Sequence, residues 1–410
     1  MFLPQHQRLL VAGAFAGELG VINLESGNVE SVRRLAGHNL HGLALSASGD
    51  EAYISHPQLR PDRRADYEDL TWGRLLSNGV LVLPVKALLD PAADLVQAGR
   101  LIDLRNAGDA AGDPASLQVL GDGSIVVLLA GDNQVAIGSI ADGFERIDVG
   151  RNPVAAGGDG SGRWLYVANR TGESASVVDF DHGVVRRTIR LAKEGASTAV
   201  DRGERLFYDA RLSHDRWLSC HSCHTDGHAN GQLVDTLGDG GYGDPKRVPS
   251  LLGVRGTQPF AWNGSIPKLE AQVRKSILTT LHGPPLSDEQ AADLTAYLRS
   301  LQPPPSAAEG NRDADLVAAG KAVFARQGCG RCHGPPSYTS EETYDVGLED
   351  RAGNTRFSPP SLRGVFHRSS YCHEGRAATL DEVFRVHQHQ LSSPLSDQSL
   401  AELVGFLRSL

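Results

Sequence analysis

Two copies of the pentapeptide Cys-x-x-Cys-His, at 220–224 and 329–333, constrain this chain more than any other feature. Two thiols on one turn can each form a thioether to a vinyl group of one haem. The histidine that follows is then held beneath the iron as its proximal ligand. A Cys₄ zinc site is the rival reading of four paired cysteines. It accounts for Cys220, Cys223, Cys329 and Cys332 but not for a histidine directly after each pair. The motifs therefore predict two covalently bound haem c groups, one on Cys220, Cys223 and His224 and the other on Cys329, Cys332 and His333.

The motifs sit in duplicated sequence. Val-Pro-Ser-Leu-Leu-Gly-Val (248–254) matches Pro-Pro-Ser-Leu-Arg-Gly-Val (359–365), and Trp262-Asn263-Gly264 then falls on His373-Glu374-Gly375 without a gap. Both copies close with nearly the same segment, PLSDEQAADLTAYLRSL (285–301) and PLSDQSLAELVGFLRSL (394–410). Ser-Asp at the start and apolar residues at helical spacing predict a capped amphipathic helix in each. A Pro-rich linker (302–306) separates the copies. One haem per copy is the economical reading.

The sixth ligand of each iron decides its chemistry, because a closed iron transfers electrons while an open one can bind peroxide or dioxygen. The chain's single methionine is Met1, so histidine is the leading candidate. His387 and His389 lie on the amphipathic segment after Leu380, and His282 lies at the end of the corresponding helix of the first copy.

Upstream, residues 1 to 195 read as all-β. Short apolar runs (Leu9–Phe15, Gly20–Asn23, His41–Leu45, Val80–Val85, Gly123–Leu129, Gln134–Ser139, Trp164–Val167, Ala175–Phe180) alternate with Gly, Asn and Asp turns. Units recur at roughly 40 to 50 residues, the period of propeller blades, and about four fit. The alternative is an irregular β-sandwich. His38, His41 and His56 in this half read as surface or turn residues. The expected fold class is therefore multidomain: a β-propeller-like part (1–195), then two mainly α-helical cytochrome c domains (196–302 and 313–410).

Composition excludes some functions. A formal charge of −9 is not the basic footprint of a nucleic-acid binder. It suits a basic electron-carrier partner, although net charge alone is weak evidence. No apolar run is long enough to span a bilayer. Met-Phe-Leu-Pro-Gln-His-Gln-Arg lacks a basic segment followed by an apolar one, so no signal peptide is visible. Haem attachment to paired cysteines normally happens outside the bacterial cytoplasm. The expectation is thus an exported, periplasmic protein whose true start lies upstream. Four blades, few for a closed ring, point the same way.

GERLFYDARLSHDRWLSCHSCHTDGHANG (203–231), KRVPSLLGVRGTQPFAWNGSIPKLEAQV (246–273) and YCHEGRAATLDEV (371–383) resemble the bacterial di-haem cytochrome c peroxidase and MauG family. RWLYVANRTGESASVVDFDHGVVRRTIRL (163–191) resembles a YVTN-type blade. The family resemblance covers about half the chain. It implies that the first haem is the reaction centre and the second the electron-transfer haem. Trp262 falls on the tryptophan between the haems, Gln272 on a distal glutamine of the first, and His387 on the sixth ligand of the second, with His389 as the alternative. There are three departures. The distal catalytic glutamate falls on His282, which could act as acid/base on peroxide or close the iron. The loop histidine that closes the resting peroxidase has no counterpart other than His228. The asparagine that helps hold an inter-haem calcium falls on Arg247, which disfavours calcium. Cys372 reads as a buried free thiol, and His373 as shaping the second pocket.

The resemblance implies a peroxidase-type oxidoreductase. Hydrogen peroxide would meet the first haem, with His282 and Gln272 distal. Electrons would come through the second haem and Trp262, from a small cytochrome c or cupredoxin. A MauG-like variant would oxidise a partner protein. The rival of another class is a non-catalytic bis-histidine electron carrier. A third reading makes the haem units a redox sensor for the β-half.

Overall fold

The computed structural model describes residues 1–105, 108–139, 141–159, 162–192, 197–306 and 313–410. The expected boundary at 195/196 and part of the turn at 158–162 lie outside the described residues. The chain divides into two compact units. One holds Met1–Arg60, Tyr67–Asp226 and Leu281–Pro284, and the other Pro61–Asp66, Gly227–Thr280 and Pro285–Leu410.

The first unit is strand-rich. Four separate four-stranded antiparallel meanders follow one another: sheet I (Phe2–Leu3 to Val29–Arg34), sheet II (Gly42–Leu45 to Arg100–Asp103), sheet III (Pro114–Val119 to Gly143–Asp148) and sheet IV (Pro153–Gly158 to Val184–Arg190). Among the described residues no sheet is closed on itself.

Successive sheets stack because strand side chains alternate between faces. In Ile125–Leu129, Val126 and Leu128 meet Leu165 and Val167 of sheet IV, while Ile125, Val127 and Leu129 meet Val80 and Val82 of sheet II. In the same way, Ala52 and Ile54 of sheet II face Leu10 and Leu19 of sheet I, while Tyr53 turns toward sheet III. Full burial of each such side chain contributes about 1.5–3 kcal/mol. The even period blurs in sheet II, where Arg60–Leu75 and the helical stretch Val85–Ala98 interrupt the meander.

The second unit is mainly helical, and its two repeats fold alike. Leu269–Thr279 and Leu380–Arg385 begin at matched positions, as do the bridges Phe260↔Ile266 and Tyr371↔Ala377. Ser287 and Ser396 cap the closing helices Asp288–Ser300 and Asp397–Arg408, as the sequence predicts. Gly253 and Gly364 are both left-handed, and each donates its N–H to the end of its own closing helix, at Leu301 and Leu410. Helix Ala314–Arg326 packs against Asp397–Arg408, with Gly320 directly over the Glu402 carbonyl. No helix among the described residues is long and apolar enough to cross a membrane.

Candidate haem-binding sites

The two motifs share one local geometry. Cys220–Cys223 is a single α-turn and Cys329–Arg331 a single 3₁₀ turn. In each, the histidine N–H donates to the first cysteine's carbonyl, from His224 to Cys220 and from His333 to Cys329, both at 2.9 Å. One turn thus presents two thiols and then a histidine. All five cysteines are free. Burial raises the thiol pKa values, to about 12 for Cys220 and Cys223, where Asp113 adds to the effect. Among the described residues, no group of three or more candidate metal ligands includes a cysteine.

Around the second motif the second unit forms a cavity. Cys329, Cys332 and His333 line it together with Trp262, Arg368, Cys372, His373 and His389 and a set of leucines, valines and phenylalanines. His333 Nδ1 lies 3.2 Å from the Tyr338 carbonyl, which assigns the proton to Nδ1 and leaves Nε2 as the ligating nitrogen. Burial, followed by the neighbouring His389, lowers the His333 pKa to about 4, so the imidazole is neutral. His389 is shifted down by burial as well. His387 is not among the lining residues. Past helix Leu380–Arg385, left-handed Gln388 (φ 44°) separates the two histidines and puts them on different faces.

The chemistry of this wall fits haem. Arg368 lines the cavity, half-buried, and its Nη2 donates to the Ser361 carbonyl. It has no ion-pair partner among the described residues. Burial moves its pKa down to about 10, still charged near neutrality. A half-buried cation without an anion, facing a cavity whose other charged residue is Arg331, is a place for a carboxylate-bearing ligand.

Trp262 lines the same cavity. Its Nε1 donates to the Arg247 carbonyl (3.0 Å), and the Arg247 guanidinium lies 5.1 Å from the ring centroid. His373 stacks on Phe357 with centroids 4.2 Å apart. Cys372 is half-buried at the cavity wall.

Next to Arg247, three carboxylates (Asp239, Asp244 and Asp350) converge in a metal-like cluster. The Lys246 ammonium already lies among them, at 2.7, 2.6 and 3.2 Å. The expectation against calcium rested on Arg247, whereas the structure puts Lys246 at the cluster.

The first motif lies in the strand-rich unit, which sequence reasoning missed. Ser219 Oγ donates to Asp113 Oδ2 (2.5 Å) and Ser222 Oγ to Asp113 Oδ1 (2.6 Å). His38 Nε2 lies 2.8 Å from the Ser222 carbonyl, and Asn39 Nδ2 donates to the His221 carbonyl (3.3 Å). Thr225 Oγ1 donates to Asn39 Oδ1. His38 and His56 are thus buried, at 0% and 4% exposure, not surface residues as expected; His41 is exposed and stacks on His221. The cause is docking: a solvated turn cannot be told from a buried one by its sequence.

His282 belongs to the same unit as His224. It is left-handed (φ 49°), with its ring edge-on to Tyr67 at 6.1 Å. Gln272 belongs to the other unit. Its Nε2 donates to Ser276 Oγ (3.1 Å), and its buried Oε1 has no hydrogen-bond partner among the described residues. His228 Nδ1 lies 2.8 Å from Ser250 Oγ.

These features define a haem-binding oxidoreductase of the cytochrome c type. Residues 197–314 match the family described as di-haem cytochrome c peroxidase. The methylamine utilization protein MauG of Methylorubrum extorquens is 28% identical over 51% of this chain and 76% of its own. The cytochrome c551 peroxidase of Pseudomonas aeruginosa is 24% identical, covering 51% and 77%. The hydrazine synthase subunit gamma of Kuenenia stuttgartiensis is 26% identical, covering 52% and 78%. The haem-bearing half of the chain is thus similar to di-haem cytochrome c peroxidases and to MauG.

Proposed function

We propose that the chain is an exported di-haem oxidoreductase that reduces hydrogen peroxide, with electrons passing from the second haem site to the first. The observation that carries this reading is the cavity gathering Cys329, Cys332, His333, His389 and Trp262 in one wall. The two motifs hold one haem c each by thioether bonds, and the bound group supplies a redox-active iron at each site. At the second site His333 and His389 would hold the iron, and Arg368 would offer its charge to a haem carboxylate. His387 is the less favoured of the two candidates, because it is absent from the wall.

Reduction of peroxide to two waters consumes two electrons and two protons, which suits two one-electron sites. Trp262 is the aromatic group that relays electrons. Its hydrogen bond to Arg247 and the guanidinium beside its ring fix its orientation. His282 and Gln272 serve the first site, His282 moving protons and Gln272 orienting the peroxide. The electron donor is a basic cytochrome c or cupredoxin, complementary to the net charge of −9. The four stacked meanders are propeller blades of the YVTN type, and the two repeats that follow are of the cytochrome c type. Export to the periplasm follows from the chemistry of haem attachment.

Stopped-flow spectra with peroxide test the activity. The Soret band of the first haem should change in the oxidised or the half-reduced protein. Unchanged bands in both states would leave a bis-histidine electron carrier, with His282 closing the first iron.

A further inference from the structure

Asp113 has no role in any reading above, yet it is tied to the first motif more closely than any other residue of the sheets. It stands at the start of sheet III in a left-handed conformation (φ 51°), which aspartate tolerates better than most residues. The platform under it is rigid. The Ala130 N–H donates to its carbonyl (3.0 Å), Gly131 N–H to Gly112 O (3.1 Å), and Gly112 N–H to Asp132 Oδ2 (2.8 Å). Gly131 leaves room for the carboxylate, since a Cβ there would lie 3.1 Å from Asp113 Oδ2.

Asp113 is 5% exposed and has no ion-pair partner among the described residues. Burial pushes its pKa up, and the bonds from Ser219 and Ser222 oppose that shift and favour the ionised form. Its two oxygens accept from the hydroxyls of Ser219 and Ser222, at 1% and 0% exposure. Ser219 is the residue before Cys220, and Ser222 the residue before Cys223. Each serine therefore fixes the backbone that carries one of the two thiols.

We propose that Asp113 is a positioning residue for the first haem site that also sets its redox chemistry: it locks the Cys-x-x-Cys turn and supplies a buried negative charge that favours oxidised iron. The proposal rests on the reading that Cys220, Cys223 and His224 hold a haem. A fixed anion in a low-dielectric interior acts strongly on a centre whose positive charge grows on oxidation. The second motif has no such group in its cavity wall, where Arg331 and Arg368 are the charged residues. The two haems are thereby set apart, with the first held at the lower potential relative to its own neutralised variant.

The test is spectroelectrochemistry of the full-length protein, matured in a host competent for haem attachment, with the haem count read from intact mass. Asp113→Asn keeps an acceptor oxygen and removes the charge. One redox wave should move to more positive potential while the other stays. Ser222→Ala removes one of the two hydroxyls that stabilise the ionised carboxylate, so the same wave should move in the same direction by a smaller amount. A graded shift confined to one wave, with both haems attached, is not what a merely structural role would give. If Asp113→Asn does not accumulate, Ser222→Ala decides alone. Two attached haems with neither wave displaced, or with both displaced together, overturn the proposal. A wild-type chain with bare amino-acid mass overturns instead the haem reading beneath it.

Discussion

Replacing Lys246 by methionine removes the ammonium from a buried cluster and leaves three carboxylates facing one another. Lys246 Nζ lies 2.7 Å from Asp239, 2.6 Å from Asp244 and 3.2 Å from Asp350, and none of the four side chains is more than 10% exposed. Burial alone would lower the lysine pKa, but bonds to Asp239 and Asp244 reverse this and raise it. Asp350 is lowered despite burial, with Asn354 and then Lys246 as the favourable partners. Removing one partner of a buried ion pair costs about 3–5 kcal/mol. Two carboxylates about 5 Å apart at an effective dielectric of about 20 repel by about 3 kcal/mol, and protonation relieves that. The loss should therefore be largest near pH 7 and smaller near pH 5.

The signs in the wild type are opposite for the two partners. The raised lysine contributes stability that is fully present below its ordinary pKa and lost as pH rises through the folded value. The lowered Asp350 contributes stability above the ordinary carboxylate range, lost as pH falls through its folded value. Urea denaturation of wild type and Lys246→Met, each in EDTA and in millimolar calcium, measures all of this. Wild type should not respond to calcium. The variant should lose about 3–5 kcal/mol at pH 7 and regain part of it with calcium, since oxygen ligands within 4.8 Å of one another suit that ion. A wild type stabilised by calcium, or a variant as stable as wild type, would refute the reasoning.

Three further outcomes are expected. His389→Ala should change the low-spin EPR signal of one haem while His387→Ala leaves it intact; the reverse result assigns the ligand to His387. Gly320→Ala should destabilise by about 1–3 kcal/mol in urea melts, because its new methyl meets the Glu402 carbonyl of the packed helix, and a neutral effect would mean that the two helices move apart freely. Asp132, raised by burial to about 7, should make the strand-rich unit lose stability as pH rises from about 4 to 7, because its folded pKa lies above its unfolded one; Asp132→Asn should flatten that slope in denaturation midpoints taken across the window, and an unchanged slope would assign it elsewhere.

Much of the fold was legible because it is written locally. The run Gln134–Ser139 is a strand over those same residues. Ser287 and Ser396 were readable as caps because a capping serine acts within three residues of itself. The matched left-handed positions Ala261 and Cys372, and Gly264 and Gly375, show that the aligned copies share backbone as well as sequence. The cysteine motifs carry their meaning for the same reason, since a thiol pair and a histidine on one turn need no distant partner.

What was not legible depends on distance along the chain. Asp113 reads as an ordinary turn residue in Ala-Gly-Asp-Pro, and only docking places it on Ser219 and Ser222. Lys246 reads as a solvated lysine until Asp350 arrives from the other repeat. His387 and His389 cannot be ranked by spacing, because the helix ends at Arg385 and left-handed Gln388 breaks the periodicity the alignment assumes. The duplication itself misleads in one respect. It suggests two equivalent haem units, but the wall around Cys329, Cys332 and His333 is drawn from residues 262–407, whereas the clasp on the first motif is built from residues 38, 39 and 113. The strand-rich half is therefore part of the first site, so excising residues 1–195 removes the groups that hold the Cys220–Cys223 turn. That truncation should lower haem attachment at the first motif, while the second motif keeps the wall it builds for itself.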